Sequence, residues 1–130
     1  MRTGRLRAIG AVTFVYGIAT ACRPGLLARP SGLVERHGGV APHTAMVLRP
    51  MAWRDAASGL AMVVAPDGPA LATASALRIA SDVGDALLLG RTLSGRVRRT
   101  GAVASALGWA ALTAVNLLGR PDTARYRAGH

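Results

Sequence analysis

Apolar residues gather in four stretches of this chain: about 8–22, 51–65, 70–90 and 101–119. Inside them, polar side chains recur at helical spacing and do not alternate, which predicts four helices. A helix crosses roughly 30 Å of hydrocarbon with about 20 mostly apolar residues. Segment 8–22 is short for that, but Arg7 and Arg23 stand at its ends and can snorkel. Segment 51–65 lies between Pro50 and Pro66, which suit a helix start and a helix end. An earlier start near Thr44, with Pro50 as a kink, is the alternative. Segment 70–90 is the longest, and Gly90 fits its C-terminal end. Segment 101–119 carries no charge.

Pro66-Asp67-Gly68-Pro69 reads as a tight turn, so the second and third helices form an antiparallel hairpin. Pro24, Pro30, Gly38, Gly39 and Pro42 punctuate residues 23–50, which read as a loop outside the membrane with room for a short interfacial helix. The expected fold class is therefore all-α: a single-domain integral membrane four-helix bundle over residues 1–130. An even number of spans puts both termini on one side.

Arg2, Arg5 and Arg7 before an apolar run also resemble a signal peptide, and Ile18-Ala19-Thr20-Ala21-Cys22 resembles a lipobox. Ala19 stands where such motifs prefer Leu, and three further apolar segments follow. Cys22 reads instead as a small residue at a helix end.

Composition narrows the picture. The chain is 51% hydrophobic and 17% charged. That excludes a disordered chain, and it is poorer in charge than an ordinary soluble domain, at about a quarter. One Cys excludes a disulfide framework. The net charge is +10, and all sixteen basic residues are Arg. Their placement argues against nucleic acid. Two Arg and three Asp lie inside the apolar segments; fourteen Arg lie outside, against Glu35, Asp67 and Asp122. Basic residues flanking apolar stretches suit lipid headgroups, whereas a nucleic-acid binder needs one basic face.

Small residues provide helix contacts in lipid. Gly101-x-x-x-Ser105 and Ala104-x-x-x-Gly108 supply them on the fourth segment, Ser58 and Gly59 on the second. Each segment also has a polar stripe. Thr13, Tyr16, Gly17 and Thr20 share a face of the first; Ser105, Trp109 and Asn116 share one of the fourth. On the third, Arg78, Asp82 and Asp85 fall within about 60° of one another, opposite Ala76, Ile79, Ala80, Val83 and Leu87. The second adds Arg54 and Asp55, whose directions differ by about 100°, so one is expected to reach the third helix and the other a different neighbour.

A charge at the bilayer centre costs at least ~2.5–3.5 kcal/mol, so Arg54, Asp55, Arg78, Asp82 and Asp85 are expected to form one interior cluster. Tyr16 and Asn116 are candidate supporting polar groups. Three Asp against two Arg leave one carboxylate without an obvious partner, and desolvation favours its neutral form. Such a group suits a proton site and equally suits a structural network.

The run Arg54-Asp55-x-x-x-Gly59-Leu60, then Arg78, Asp82 and Asp85-Ala86, resembles the small actinobacterial four-helix membrane proteins of unknown function at the edge of the DoxX-like group. The resemblance covers residues 50–90, and elsewhere only the helix count. It implies a membrane bundle and no particular activity. The Arg-only, Ala-rich composition fits a GC-rich genome of that kind.

The chain has no Walker loop, GxSxG, HExxH or paired Cys. His37 and His43, six apart in a loop, and His130 read as solvent-exposed and not as a metal site. The expectation is a multi-pass protein of a bacterial plasma membrane. It is expected to be a non-enzymatic component acting with a membrane partner or a second copy, without cofactor, metal or nucleic acid. The rival is a small transporter or proton-linked carrier using the Asp/Arg cluster, and a membrane enzyme ranks third.

Overall fold

The computed structural model describes residues 1–25, 39 and 41–120. Its regular structure is all-helical: α1 (Thr3–Cys22), α2 (Pro42–Val64), α3 (Pro69–Thr92) and α4 (Arg96–Leu118). The helices run up, down, up, down. The N-terminal ammonium donates to the Gly119 carbonyl at 2.5 Å, and the Arg2 N–H to the Asn116 carbonyl at 2.8 Å. The start of α1 and the end of α4 therefore share one end of the bundle.

The helices outrun their apolar segments, because Arg is a good helix former and carries each helix into its polar flank. α1 starts at Thr3, not Ala8; α4 starts at Arg96, not Gly101. α3 runs past Gly90 to Thr92. Gly90 lies inside the helix, where a Cβ would meet Val103 of α4 at 3.4 Å. α2 differs most. It starts at Pro42 and carries Pro50 internally, which follows the alternative of an early start near Thr44, so residues 42–50 are helix and not loop. The buried residues Leu48, Ala52, Ala56, Gly59 and Met62 explain this: one stripe, three or four residues apart, continues across the proline. The remaining loop expectations for 26–38, including Glu35, Arg36 and His37, lie outside the described residues, as does His130.

Glycine and proline set the boundaries. Gly68 (φ +101°) and Gly95 (φ +96°) precede α3 and α4 in a backbone region that Cβ-bearing residues avoid. Pro42 and Pro69 open α2 and α3, where a missing N–H costs nothing. Arg7 closes the α2 end. Its guanidinium donates to the carbonyls of Val63 (2.5 Å) and Ala65 (3.0 Å) and to Asp67 Oδ1 (2.8 Å). A cation there satisfies carbonyls that the helix leaves open.

The four helices associate as two pairs, α1 with α2 and α3 with α4; α2 and α3 touch less extensively despite their short turn. The α1–α2 pair packs backbone to backbone. A Cβ on Gly17 would lie 2.5 Å from the Ala56 nitrogen, one on Gly59 2.5 Å from the Phe14 nitrogen, and one on Gly10 2.7 Å from Met62 Cβ. Gly59 was anticipated in this role; Gly10 and Gly17, seven residues apart on one stripe of α1, were not. Among the described residues, nothing lies within 4 Å of a Cβ on Gly101 or Gly108, so the small-residue contacts expected of α4 are not made there.

One substitution at two sites tests this packing. Gly17→Ala should lower stability by ~1–3 kcal/mol, because the clash is with backbone. Gly108→Ala meets nothing and should raise it by up to ~1 kcal/mol through helix propensity. Thermal melts of the two purified variants give the signs.

Candidate functional site

The bundle interior has two halves. Toward the α1 N-terminus, Leu6, Ile9, Met62, Leu71 and Ala74 form an apolar cluster. Beyond it the buried stripe of α3 continues as Ser75, Arg78, Asp82 and Ala86. Arg78 and Asp82, only 6% and 3% exposed, occupy positions where a core helix normally carries aliphatic residues.

These two residues belong to a ladder of five charges. Arg54 on α2 holds Asp85 on α3 with two parallel hydrogen bonds, Nη1 to Oδ1 at 3.1 Å and Nη2 to Oδ2 at 2.7 Å. Arg54 also donates to Asp55 Oδ1 from Nη2 (3.0 Å) and Nε (3.3 Å). The same oxygen accepts from Arg78 Nη1 at 2.9 Å. Arg78 in turn holds Asp82, one turn on, through Nε to Oδ2 at 3.1 Å and Nη2 to Oδ1. Ser58 accepts from Arg78 Nη1 at 3.2 Å and donates to the Asp55 carbonyl at 3.0 Å. The order across the interface is Asp85, Arg54, Asp55, Arg78, Asp82, with acid and base alternating.

All five cluster residues expected from the sequence come together. Two details differ. Arg54 and Asp55 both meet α3 and do not divide between neighbours, because the long arginine stem bridges the angle between adjacent residues. No Asp is left without an Arg, because Asp55 shares one oxygen between both guanidiniums. Ser58 went unrecognised as a member of the ladder. Its place three residues after Asp55 on the same face was the available signal.

The two supporting residues separate. Tyr16 lines a cleft of about 540 Å³ beside the ladder, to which all four helices contribute. Asp55, Asp82, Asp85, Thr20 and Arg98 also line it. Arg98 at this position was not anticipated. Asn116 lies elsewhere, about 16 Å further along α4 than the cleft residue Ser105. Its Nδ2 donates to the Leu112 carbonyl at 2.8 Å. Trp109, expected on the inner stripe of α4, is 38% exposed, since the small residues Ala110 and Thr113 take the packed face. Among the described residues no His/Cys/Asp/Glu group has metal-binding placement.

No protein-family model, curated protein or solved structure matches this chain.

Removing one partner of a buried pair strands the other, which costs ~3–5 kcal/mol. Arg78→Ala should show that loss in detergent, because it strands Asp82 and half of the support of Asp55. Replacing Arg78 and Asp82 together by Leu should recover part of it, since no buried charge remains between them. Melting curves of the single and double variants compare the two.

Proposed function

We propose that this chain is a four-span integral membrane protein of a bacterial plasma membrane, a non-enzymatic component held together by its charge ladder. The observation that carries this reading is an inverted distribution of polarity. Arg78, Asp82, Thr113 and Asn116 are buried, while Val15 (66%), Leu77 (63%), Trp53 (55%), Leu87 (55%) and many other large apolar side chains face outward. Contiguous exposed apolar surface marks contact with lipid or with a partner. Interior charges that pair with one another, behind an apolar exterior, are the arrangement hydrocarbon requires.

Length agrees. Helices of 20, 23, 24 and 23 residues each span roughly 30 Å or more. By length and composition, α4 alone among the described helices passes as a membrane span, with mean hydropathy 1.5 and little of its length buried. The charges on α2 and α3 lower theirs, and the ladder neutralises most of those charges against each other. A role as a component is supported by the engagement of both interior guanidiniums in helix-to-helix bonds. A partner is supported by Gly108 and Ala104, small residues on an outer face of α4 that no part of the described chain covers.

A second reading, a small carrier, is favoured by the cleft onto which three carboxylates open.

Membrane integration is tested by washing membranes at alkaline pH with carbonate. The protein should stay in the pellet. Recovery in the supernatant would overturn the four-span reading and leave a basic protein bound at the surface.

A further inference from the structure

The cleft beside the ladder has features that the ladder alone does not require. Thr20 is 1% exposed, lines the cleft, and its hydroxyl has no hydrogen-bond partner among the described residues. A buried hydroxyl without a partner is costly, so its position calls for one. Asp55 concentrates its bonds on one oxygen: Oδ1 accepts from both arginines, while Oδ2 accepts from no described residue. The three carboxylates outnumber the two guanidiniums that hold them, leaving one formal negative charge at the inner wall. Arg98 stands at the α4 start of the cleft and is itself engaged. The other walls are apolar or small, among them Met51, Leu89, Val97, Gly101 and Ala106. A volume of about 540 Å³ holds a small organic molecule.

We propose that this cleft binds an organic ammonium group carried on an apolar body, with the nitrogen at Asp55 Oδ2 and the Thr20 hydroxyl. An ammonium donates three hydrogen bonds and supplies the one positive charge that the inner wall lacks. The apolar body packs on Leu89, Val97 and Ala106. Tyr16 lines the same cleft, and an aromatic ring beside a cation adds to its attraction. The inference rests on the cleft and the ladder, not on membrane placement, so the carbonate wash and the binding test can fail separately. Free amines and the ethanolamine headgroup of a phospholipid share this chemistry.

Titration calorimetry on the detergent-purified protein tests it with phenethylammonium as probe and 2-phenylethanol as its uncharged counterpart. The amine should bind saturably and roughly tenfold more tightly than the alcohol, as a hydrogen bond to a charged group implies. Thr20→Val should weaken the amine and leave the alcohol unchanged. Gly101→Leu fills the cleft without touching the ladder, since no described residue lies within 4 Å of a Cβ there, and should abolish binding with the melting temperature preserved. It keeps the test decisive even if Asp55→Asn fails to fold. Competition by a short-chain phosphatidylethanolamine, but not by phosphatidylglycerol, assigns the group to a lipid headgroup; its absence assigns it to a free amine. Equal affinity for amine and alcohol, no saturable binding, or unchanged binding in Gly101→Leu overturns the proposal.

Discussion

The contact between α2 and α3 depends on five alternating charges. α1 and α2 lock through glycine at backbone distance, and α3 and α4 form a second pair. Among the described residues, the side-chain bonds between α2 and α3 are those of Arg54 to Asp85 and Arg78 to Asp55 and Ser58. Helices with apolar outer faces gain little from further apolar contact in lipid, because the alternative surroundings are equally apolar. Hydrogen-bonded charge then decides which helix faces which and in what register. A ladder of fixed order tolerates no sliding: moving α3 by one residue turns Arg78 and Asp82 about 100° away from Asp55.

Charges in an apolar interior carry a desolvation cost, and two features offset it here. The pairs Arg54–Asp85 and Arg78–Asp82 are each bonded through two nitrogens, the geometry in which guanidinium and carboxylate interact most strongly. The ladder also lies beside a cleft, and the Arg54 side chain is 40% exposed while the Arg78 side chain is 8% exposed. The cost is thus graded, highest at Arg78 and Asp82. The opposite half of the bundle, filled by Leu6, Ile9, Met62 and Leu71, supplies ordinary packing and shares that end with the Arg7 cap. Buried ion pairs are often less stabilising than an apolar replacement would be; here they fix which helix faces which.

Much of this was legible in the sequence. Apolar segments gave the order of the four described helices, and helical spacing placed Arg78, Asp82 and Asp85 on one face. The short turn brought Arg54 and Asp55 alongside. What escaped detection has physical reasons. Pro50 left two starts open for α2, at the proline or near Thr44, because a proline removes a helix hydrogen bond; the buried stripe of Leu48 and Ala52 that carries the helix through it is a tertiary effect. Gly17 and Gly108 are indistinguishable by composition; only the neighbour that arrives beside one and not the other separates them. The sharing of Asp55 between two arginines depends on side-chain reach, which residue spacing does not encode.

The most direct measurement is the coupling energy between Asp55 and Arg78 across the α2–α3 contact. A double-mutant cycle of Asp55→Asn and Arg78→Gln, read by unfolding in detergent, isolates it. Close charge pairs show couplings of about 1.5 kcal/mol or more, and a value in that range is predicted. Strict additivity of the two substitutions would contradict the account, because the two helix pairs would then be held together by something other than the ladder.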